Sequence, residues 1–209
     1  DIWYVIREEE GWSEPVNLGK PVNQEGNEFY PSFTNDGSVY FTAQLEETMG
    51  GEDLYVSRFR DGQYLPPENL GDSINTAKGE YNSFISPDGS FIMYTSEGMG
   101  PGSGSGDLYI AFRNDLGQWQ KAMNMGSAVN SSSFEFCPSL SLDGKYLFFT
   151  SQRMNPAIGD TTLNYNRLLH QHSRPKNGNG DIYRISTRVI ELLKKKHRSK
   201  KPYALFDPL

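Results

Sequence analysis

Three short runs in this chain are apolar or β-branched at almost every position: "SVYFTA" at 38–43, "SFIMYTS" at 90–96 and "KYLFFTS" at 145–151. Each follows an Asp-Gly pair, and each pair follows a mixed stretch: "YPSFT", "NSFIS" or "PSLSL". Runs this short, rich in Val, Ile, Tyr, Phe and Thr and bounded by Gly, Asp and Asn, predict strands. A strand with apolar residues on both sides predicts cover on both faces. The Asp-Gly pairs predict tight hairpins, with Gly supplying the positive φ. Their Asp residues are therefore turn residues. "DLYVSRF", "DLYIAFR" and "DIYRIS" supply a third strand to each unit. A weaker fourth segment surrounds a Trp or Tyr and an Asn-Leu-Gly or Asn-Met-Gly.

The order of these features repeats. Asp-Gly falls at Asp36, Asp88 and Asp143, and Asp-aliphatic-aromatic at Asp1, Asp53, Asp107 and Asp181. An aromatic after a Gly turn recurs as Trp12, Tyr64 and Trp119. Asn-Leu/Met-Gly begins at Asn17, Asn69 and Asn124, and aliphatic-Asn ends at Asn23, Asn75 and Asn130. Glu-aromatic begins at Glu28, Glu80 and Glu135. Six markers in one order, spaced in the low fifties, define an internal repeat. Four strands per repeat of about fifty residues is the pattern of a propeller blade. The first strand carries Pro31 and Pro138, which suits an edge strand facing a central channel. It also carries Ser32, Ser83 and Ser139, small residues suited to strands converging on an axis. The expected fold is all-β: four-stranded propeller blades, forming part of a six-bladed ring, with a short C-terminal helix.

"WSEPVNLGKPVN" and "YLPPENLGDSIN" between blades, with the Asp-Gly turn and Asp-(Ile/Leu)-Tyr, resemble the TolB-type propeller repeat of exported bacterial proteins. The third copy, "WQKAMNMGSAVN", lacks the Pro and has Met for Leu. The ending "GNGDIYRISTRVIELLK" resembles the family's usual close, a last strand followed by a helix. The resemblance covers 1–193 and implies fold and a periplasmic or extracellular location; most such proteins have no assigned activity.

The units divide as a partial blade over 1–19 and blades over about 28–75, 80–130 and 135–187, the last with an insert at 155–180. Residues 188–209 form a helix and a basic tail. The last blade lacks an obvious fourth strand, and a ring needs at least about four blades. The expectation is that N-terminal blades beyond this sequence, or self-association, close the ring. The chain opens in mid-strand without an initiator Met, which reads as a piece or processed product of something longer.

Charge adds one exclusion. The chain carries −6, but 194–209 hold six cations and one anion, leaving −11 on 1–193. An acidic body argues against nucleic acid as a partner. The tail "KKKHRSKK" reads as a solvated helix end, with an acidic surface as the alternative partner. No apolar run of 18 residues exists to span a membrane. Cys137 is the single cysteine, read as a strand thiol, so no internal disulfide or multi-Cys metal site arises.

Blade topology places the loops joining strands two to three, and those joining strand four to the next blade, on one face. That face collects "QLEETMGGE", "EGMGPGSGSG" and the insert 155–180. Loops on a rigid scaffold are where binding concentrates. The ligand-binding candidates are Glu28, Tyr30, Glu80, Glu135, Arg153, His170 and His172. Two readings of the three Glu stand: they ring the channel mouth and bind Ca2+ or another divalent cation, or each caps loop N–H groups. His170 and His172 would share a face on an extended segment, as a metal pair does, or belong to an exposed loop. Arg153 suits an anionic ligand or an ion pair. "TTLNYNRLL" predicts a short helix in the insert with Thr161 or Thr162 as N-cap. The four recurring Asp residues at strand three read as staples for loop N–H groups.

Two functions from different classes are compatible with this pattern. One is an exported module that binds a protein, small-molecule or glycan ligand through the loop-rich face. The other is a carbohydrate- or peptide-acting hydrolase or lyase with its site in the channel. The three His all lie at 170 or later, outside the inner strands, and no nucleophile elbow is present. The balance leans away from an enzyme.

Overall fold

The computed structural model describes residues 1–99, 104–154 and 164–199. A partial blade opens the chain with β1 (Trp3–Tyr4), β2 (Arg7–Glu8), β3 (Gly11–Trp12) and β4 (Val16–Asn17). The first complete blade contains β5 (Glu28–Phe33), β6 (Val39–Ala43), β7 (Asp53–Ser57), a β8 (Phe59–Arg60) to β9 (Gln63–Tyr64) hairpin, and β10 (Glu68–Asn69). The second contains β11 (Glu80–Ile85), β12 (Phe91–Ser96), β13 (Asp107–Phe112) and β14 (Met123–Asn124). The last contains β15 (Glu135–Leu140), β16 (Tyr146–Ser151), helix α1 (Tyr165–His172) and β17 (Asp181–Ser186), followed by helix α2 (Arg188–Ser199). Both complete sheets are antiparallel and run strand by strand from β5 to β10 (through β6 and β7) and from β11 to β14. Among the described residues the last sheet has three strands, β15-β16-β17.

The alternation of side chains along each middle strand places the core between blades. In β6, Val39, Phe41 and Ala43 pack with Ile2 of the partial blade and Val22 of the segment that follows it, while Tyr40 packs with Ile85, Ile92 and Tyr94 of the second blade. In β13, Tyr109 and Ala111 face the first blade, while Leu108, Ile110 and Phe112 face Leu147 and Phe149 of the last. Strands β7 and β13 are buried at every residue because a blade covers each face. Strand β17 alternates instead: Tyr183 and Ile185 join the core, and Ile182 is 79% exposed on a face no blade covers. Helix α2 presents Val189, Ile190 and Leu193 to the same core.

Each inner strand is bulged at one position. Tyr30, Asn82 and Cys137 hold φ of 52°, 56° and 52°, and the register shifts beside each of them. A bulge inserts one residue and bends the strand. The register also corrects the sequence alignment: Ser32 and Ser139 share their position with Phe84, while Ser83 stands where the other blades have Pro31 and Pro138.

The repeated Asn and Asp residues form one hydrogen-bond network in the partial blade and in each of the two complete blades. Asn75 Oδ1 accepts the Leu54 N–H at 2.9 Å, and its Nδ2 donates to Leu54 O at 3.0 Å and to Asn69 Oδ1 at 2.8 Å. Asn69 donates to Asp53 at 2.6 Å and accepts the Gly71 N–H at 2.8 Å. Asn23, Asn17 and Asp1 repeat this around Ile2, as do Asn130, Asn124 and Asp107 around Leu108. The network ties strand three to strand four and to the loop that enters the next blade.

Candidate functional site

The loops joining strands two to three lean directly on the next blade. Gly51 N–H donates to Lys78 O at 2.6 Å, and Glu80 N–H donates to Glu52 O at 2.8 Å. A methyl at Gly50 would stand 2.1 Å from Lys78 O, and one at Gly104 would stand 1.7 Å from Ser133 O. These glycines let two backbones approach where a side chain could not fit. The Asp staples hold the same loops: Asp53 accepts the Met49 N–H at 2.8 Å, Asp107 the Gly104 N–H at 3.1 Å and Asp181 the Lys176 N–H at 2.6 Å.

Among the described residues, open clefts lie on this face between neighbouring blades, two of them in the first loop's surroundings. One, of about 440 Å3, is lined by Lys20, Pro21, Gln24, Glu25, Gln44, Leu45 and Glu46. The other, of about 410 Å3, is lined by Gln44, Gly51, Glu52, Ala77, Lys78, Gly79, Tyr81 and Glu97. Gln44 belongs to both. In the second cleft the Tyr81 hydroxyl donates to Glu97 at 2.7 Å. Burial raises the Tyr81 phenol well above its ordinary range, and the bond to Glu97 raises it further. Four carboxylates, Glu25, Glu46, Glu52 and Glu97, outnumber Lys20 and Lys78 along the two clefts. The sequence reading did not select Gln44, Glu52, Tyr81 or Glu97. Its one signal was position, since Gln44 and Glu52 bound "QLEETMGGE" and Glu97 opens "EGMGPGSGSG".

The three recurring glutamates are buried, each within its own blade. Glu28 Oε1 accepts the Gln24 N–H at 3.0 Å, Glu80 Oε2 the Thr76 N–H at 2.6 Å and Glu135 Oε2 the Ser131 N–H at 2.8 Å. Each thus satisfies a backbone donor four residues earlier. Burial raises the Glu80 carboxyl above its ordinary value against the bonds from Ser96 and Thr76. Among the described residues no three His, Cys, Asp or Glu side chains are grouped to hold a metal ion.

Tyr30 lies on the innermost strand, half-exposed, with its hydroxyl in hydrogen-bonding reach of the Cys137 thiol two blades away. Burial pushes that thiol up, opposed by the bond from Tyr30. Asn82 occupies the same register between them, and its Nδ2 and the Ser83 Oγ are buried without a hydrogen-bond partner among the described residues.

Arg153 is held on several sides. It donates to Ser151 Oγ at 2.8 Å and Val129 O at 2.5 Å, pairs with Glu135 at 3.4 Å, and lies 4.5 Å from the Tyr183 ring centroid. His170 and His172 lie in helix α1, not on an extended segment, so two positions apart they point about 200° from one another. This corrects the expected shared face. The helix starts one turn later than "TTL": Asn164 Oδ1 accepts the Arg167 N–H at 3.0 Å as N-cap. Thr161 and Thr162 lie outside the described residues, as does the tail from 200 onward.

This arrangement of radially stacked, four-stranded antiparallel blades is a β-propeller fold of the TolB type. The structure of TolB from Acinetobacter baumannii matches 89% of this chain and 38% of its own, with a TM-score of 0.50 and 17% identity. An α-L-arabinofuranosidase from Lactobacillus brevis matches 85% of this chain and 57% of its own at TM-score 0.44 and 12% identity. The periplasmic gluconolactonase of Pseudomonas aeruginosa matches 59% and 36% at TM-score 0.37 and 17% identity. The chain thus spans little more than a third of the TolB structure. No family model matches the sequence. No curated protein matches it either. No helix among the described residues is long and apolar enough to cross a membrane.

Proposed function

We propose that the chain is an exported propeller module that binds a partner through its loop-rich face. The observation that carries this reading is the pair of clefts joined through Gln44. They sit where the loops vary, on a frame whose recurring Asp, Asn and Glu residues are engaged in holding loops and strands. Tyr81 and Glu97 add a hydrogen-bonded polar pair with an aromatic ring, the kind of group that orients a ligand. Export is part of the reading because the repeat resembles that of exported proteins.

The exposed face of the last blade, with Tyr146 and Ile182, belongs to ring closure in this account. Each inner blade has such a face covered by its neighbour, and a further blade or a second copy covers this one.

The test is cross-linking in cells that produce the protein. A photoreactive residue is placed at Gln44 or Glu97, and for comparison at Asn35 or Asp88 near the Asp-Gly turns. The reading expects a discrete adduct from the first pair, displaced by excess unmodified protein. Adducts that are absent, or equal from both faces, overturn it.

A further inference from the structure

The entries to the second complete blade and to the last share one plan, with two residues exchanged. Glu80 N–H donates to Glu52 O at 2.8 Å, as Glu135 N–H donates to Gly106 O at 2.9 Å. Tyr81 follows Glu80, as Phe136 follows Glu135, and the two aromatics share their register in the sheet. In the last blade the residue before Glu135 is Phe134. Its ring lies 5.1 Å from the Phe136 ring, centroid to centroid, and leaves no room for a methyl at Gly106. An aromatic ring thus fills the space between Phe136 and the preceding loop. In the second blade Gly79 stands where Phe134 stands, and Glu52 where Gly106 stands. The filling ring is gone, and a carboxylate is added.

The space so left is the 410 Å3 cleft, and Glu52, Gly79, Tyr81 and Glu97 all line it. A methyl at Gly79 would stand 3.3 Å from the Tyr81 ring, so the glycine leaves that side of the ring uncovered. The bond from the Tyr81 hydroxyl holds Glu97 beside the ring. Burial raises the Tyr81 phenol, and the charges of Glu97 and Glu52 raise it further, so both carboxylates act on one ring. Gln44 Nε2 donates to Gly51 O at 2.5 Å, which leaves its amide oxygen as a further acceptor. Among the described residues lining the cleft Lys78 is the one cation, and no ion pair joins it to Glu52 or Glu97. A flat ring fits beside Phe136, and the same place beside Tyr81 is open and anionic. A guanidinium is flat, stacks on aromatic rings and forks onto carboxylates, whereas an ammonium is a point charge. The last blade makes this combination internally: Arg153 pairs with Glu135 at 3.4 Å and lies 4.5 Å from the Tyr183 ring centroid.

We propose that the cleft between Glu52 and Tyr81 receives an arginine side chain of a partner polypeptide, its guanidinium against the Tyr81 ring and its N–H groups on Glu52 and Glu97. This rests on the loop-rich face being the binding face and names the chemistry it selects. The corresponding place in the last blade is closed by Phe134, so the second blade carries a specificity that the last one lacks.

The experiment titrates acetylated, amidated Gly-Arg-Gly into the 15N-labelled chain at fixed salt. The same peptide with citrulline is the neutral isostere, and the one with lysine is the point charge. The expected result is saturable shifts of the Lys78, Gly79 and Tyr81 amides with the arginine peptide, none with citrulline, and binding about threefold weaker or more with lysine. Glu97→Gln should weaken binding about fivefold. Glu46→Gln, which removes the same charge from the neighbouring cleft, should leave it within about twofold. Gly79→Phe copies the last blade, removes no charge and should abolish the shifts; should it fold poorly, the exposed Glu97 keeps the test valid. Equal weakening by Glu97→Gln and Glu46→Gln, or equal affinity for arginine and lysine, would mean surface charge alone and overturns the proposal, as does the absence of saturable shifts. Cross-links from Gln44 in cells without arginine-specific shifts sink the arginine assignment and leave the binding face standing; the reverse pattern does the opposite.

Discussion

Asn75 closes a two-way bond with the backbone of Leu54, accepting its N–H at 2.9 Å and donating to its carbonyl at 3.0 Å. Both residues are fully or almost fully buried, so neither backbone group has water as a substitute. Asn75→Ala should therefore destabilise the chain by about 3 kcal/mol or more, since it leaves a buried donor and acceptor unpaired. Urea unfolding midpoints check this.

Glu80 and Glu135 share a position and differ in partner. Glu135 has Arg153 at 3.4 Å, so Glu135→Gln leaves a partly buried guanidinium without its carboxylate and should cost about 2–3 kcal/mol. Among the described residues no cation pairs with Glu80, and burial raises its carboxyl pKa above the ordinary 4.5. A raised folded-state value means the folded state holds the proton more tightly than the unfolded state. The resulting stability is fully present below about pH 4.5 and is lost as pH rises through the folded value. Glu80→Gln should remove that slope while costing no more than about 1 kcal/mol at neutral pH. Unfolding free energy measured against pH separates the two variants.

Neighbouring glycines in the first loop carry opposite expectations. A methyl at Gly50 meets a backbone carbonyl at 2.1 Å, and one at Gly51 meets nothing closer than 3.5 Å. Gly50→Ala should destabilise by about 1–3 kcal/mol and loosen the loop against Lys78, whereas Gly51→Ala should stay within about 0.5 kcal/mol. Amide exchange at Glu80, which donates to Glu52 O, reports the loosening directly.

Asn82 takes a left-handed backbone at φ 56° in the bulge. Asn tolerates this region and a β-branched residue does not. Asn82→Gly should be neutral or stabilising, and Asn82→Val should cost about 2 kcal/mol. Thermal unfolding of the pair tests whether the bulge is fixed by the ring of blades.

Cys137 should react slowly. Burial raises its thiol pKa, so alkylation by iodoacetamide should lag behind free cysteine and its pH midpoint should lie above 9.0, the ordinary value for the group. Tyr30→Phe removes the bond that favours the thiolate and should move the midpoint higher still.

The fold was legible because the markers that recur are the residues that fold each blade. Asp53, Asn69 and Asn75 lie in different parts of the unit, but their spacing repeats in Asp107, Asn124 and Asn130, and repetition exposes a role even before contacts are known. Non-repeating features carry no such signal. Tyr81 and Glu97 meet only because β11 pairs with β12. That Ala43 stands opposite Glu28 where Ser96 stands opposite Glu80 becomes visible only once the strand register aligns them. His170 and His172 depended on a backbone that alternation alone could not distinguish from a helix, and Asn164 decided it by capping.

The central claim is that the recurring asparagines act as one unit that locks each blade that carries them. A double-mutant cycle on Asn69→Ala and Asn75→Ala measures this directly, because their side chains bond to each other at 2.8 Å and share the same strand junction. The account predicts a coupling energy of about 1–2 kcal/mol in urea unfolding. Free-energy changes that add to within about 0.3 kcal/mol would contradict it, since independent residues add and members of one network do not.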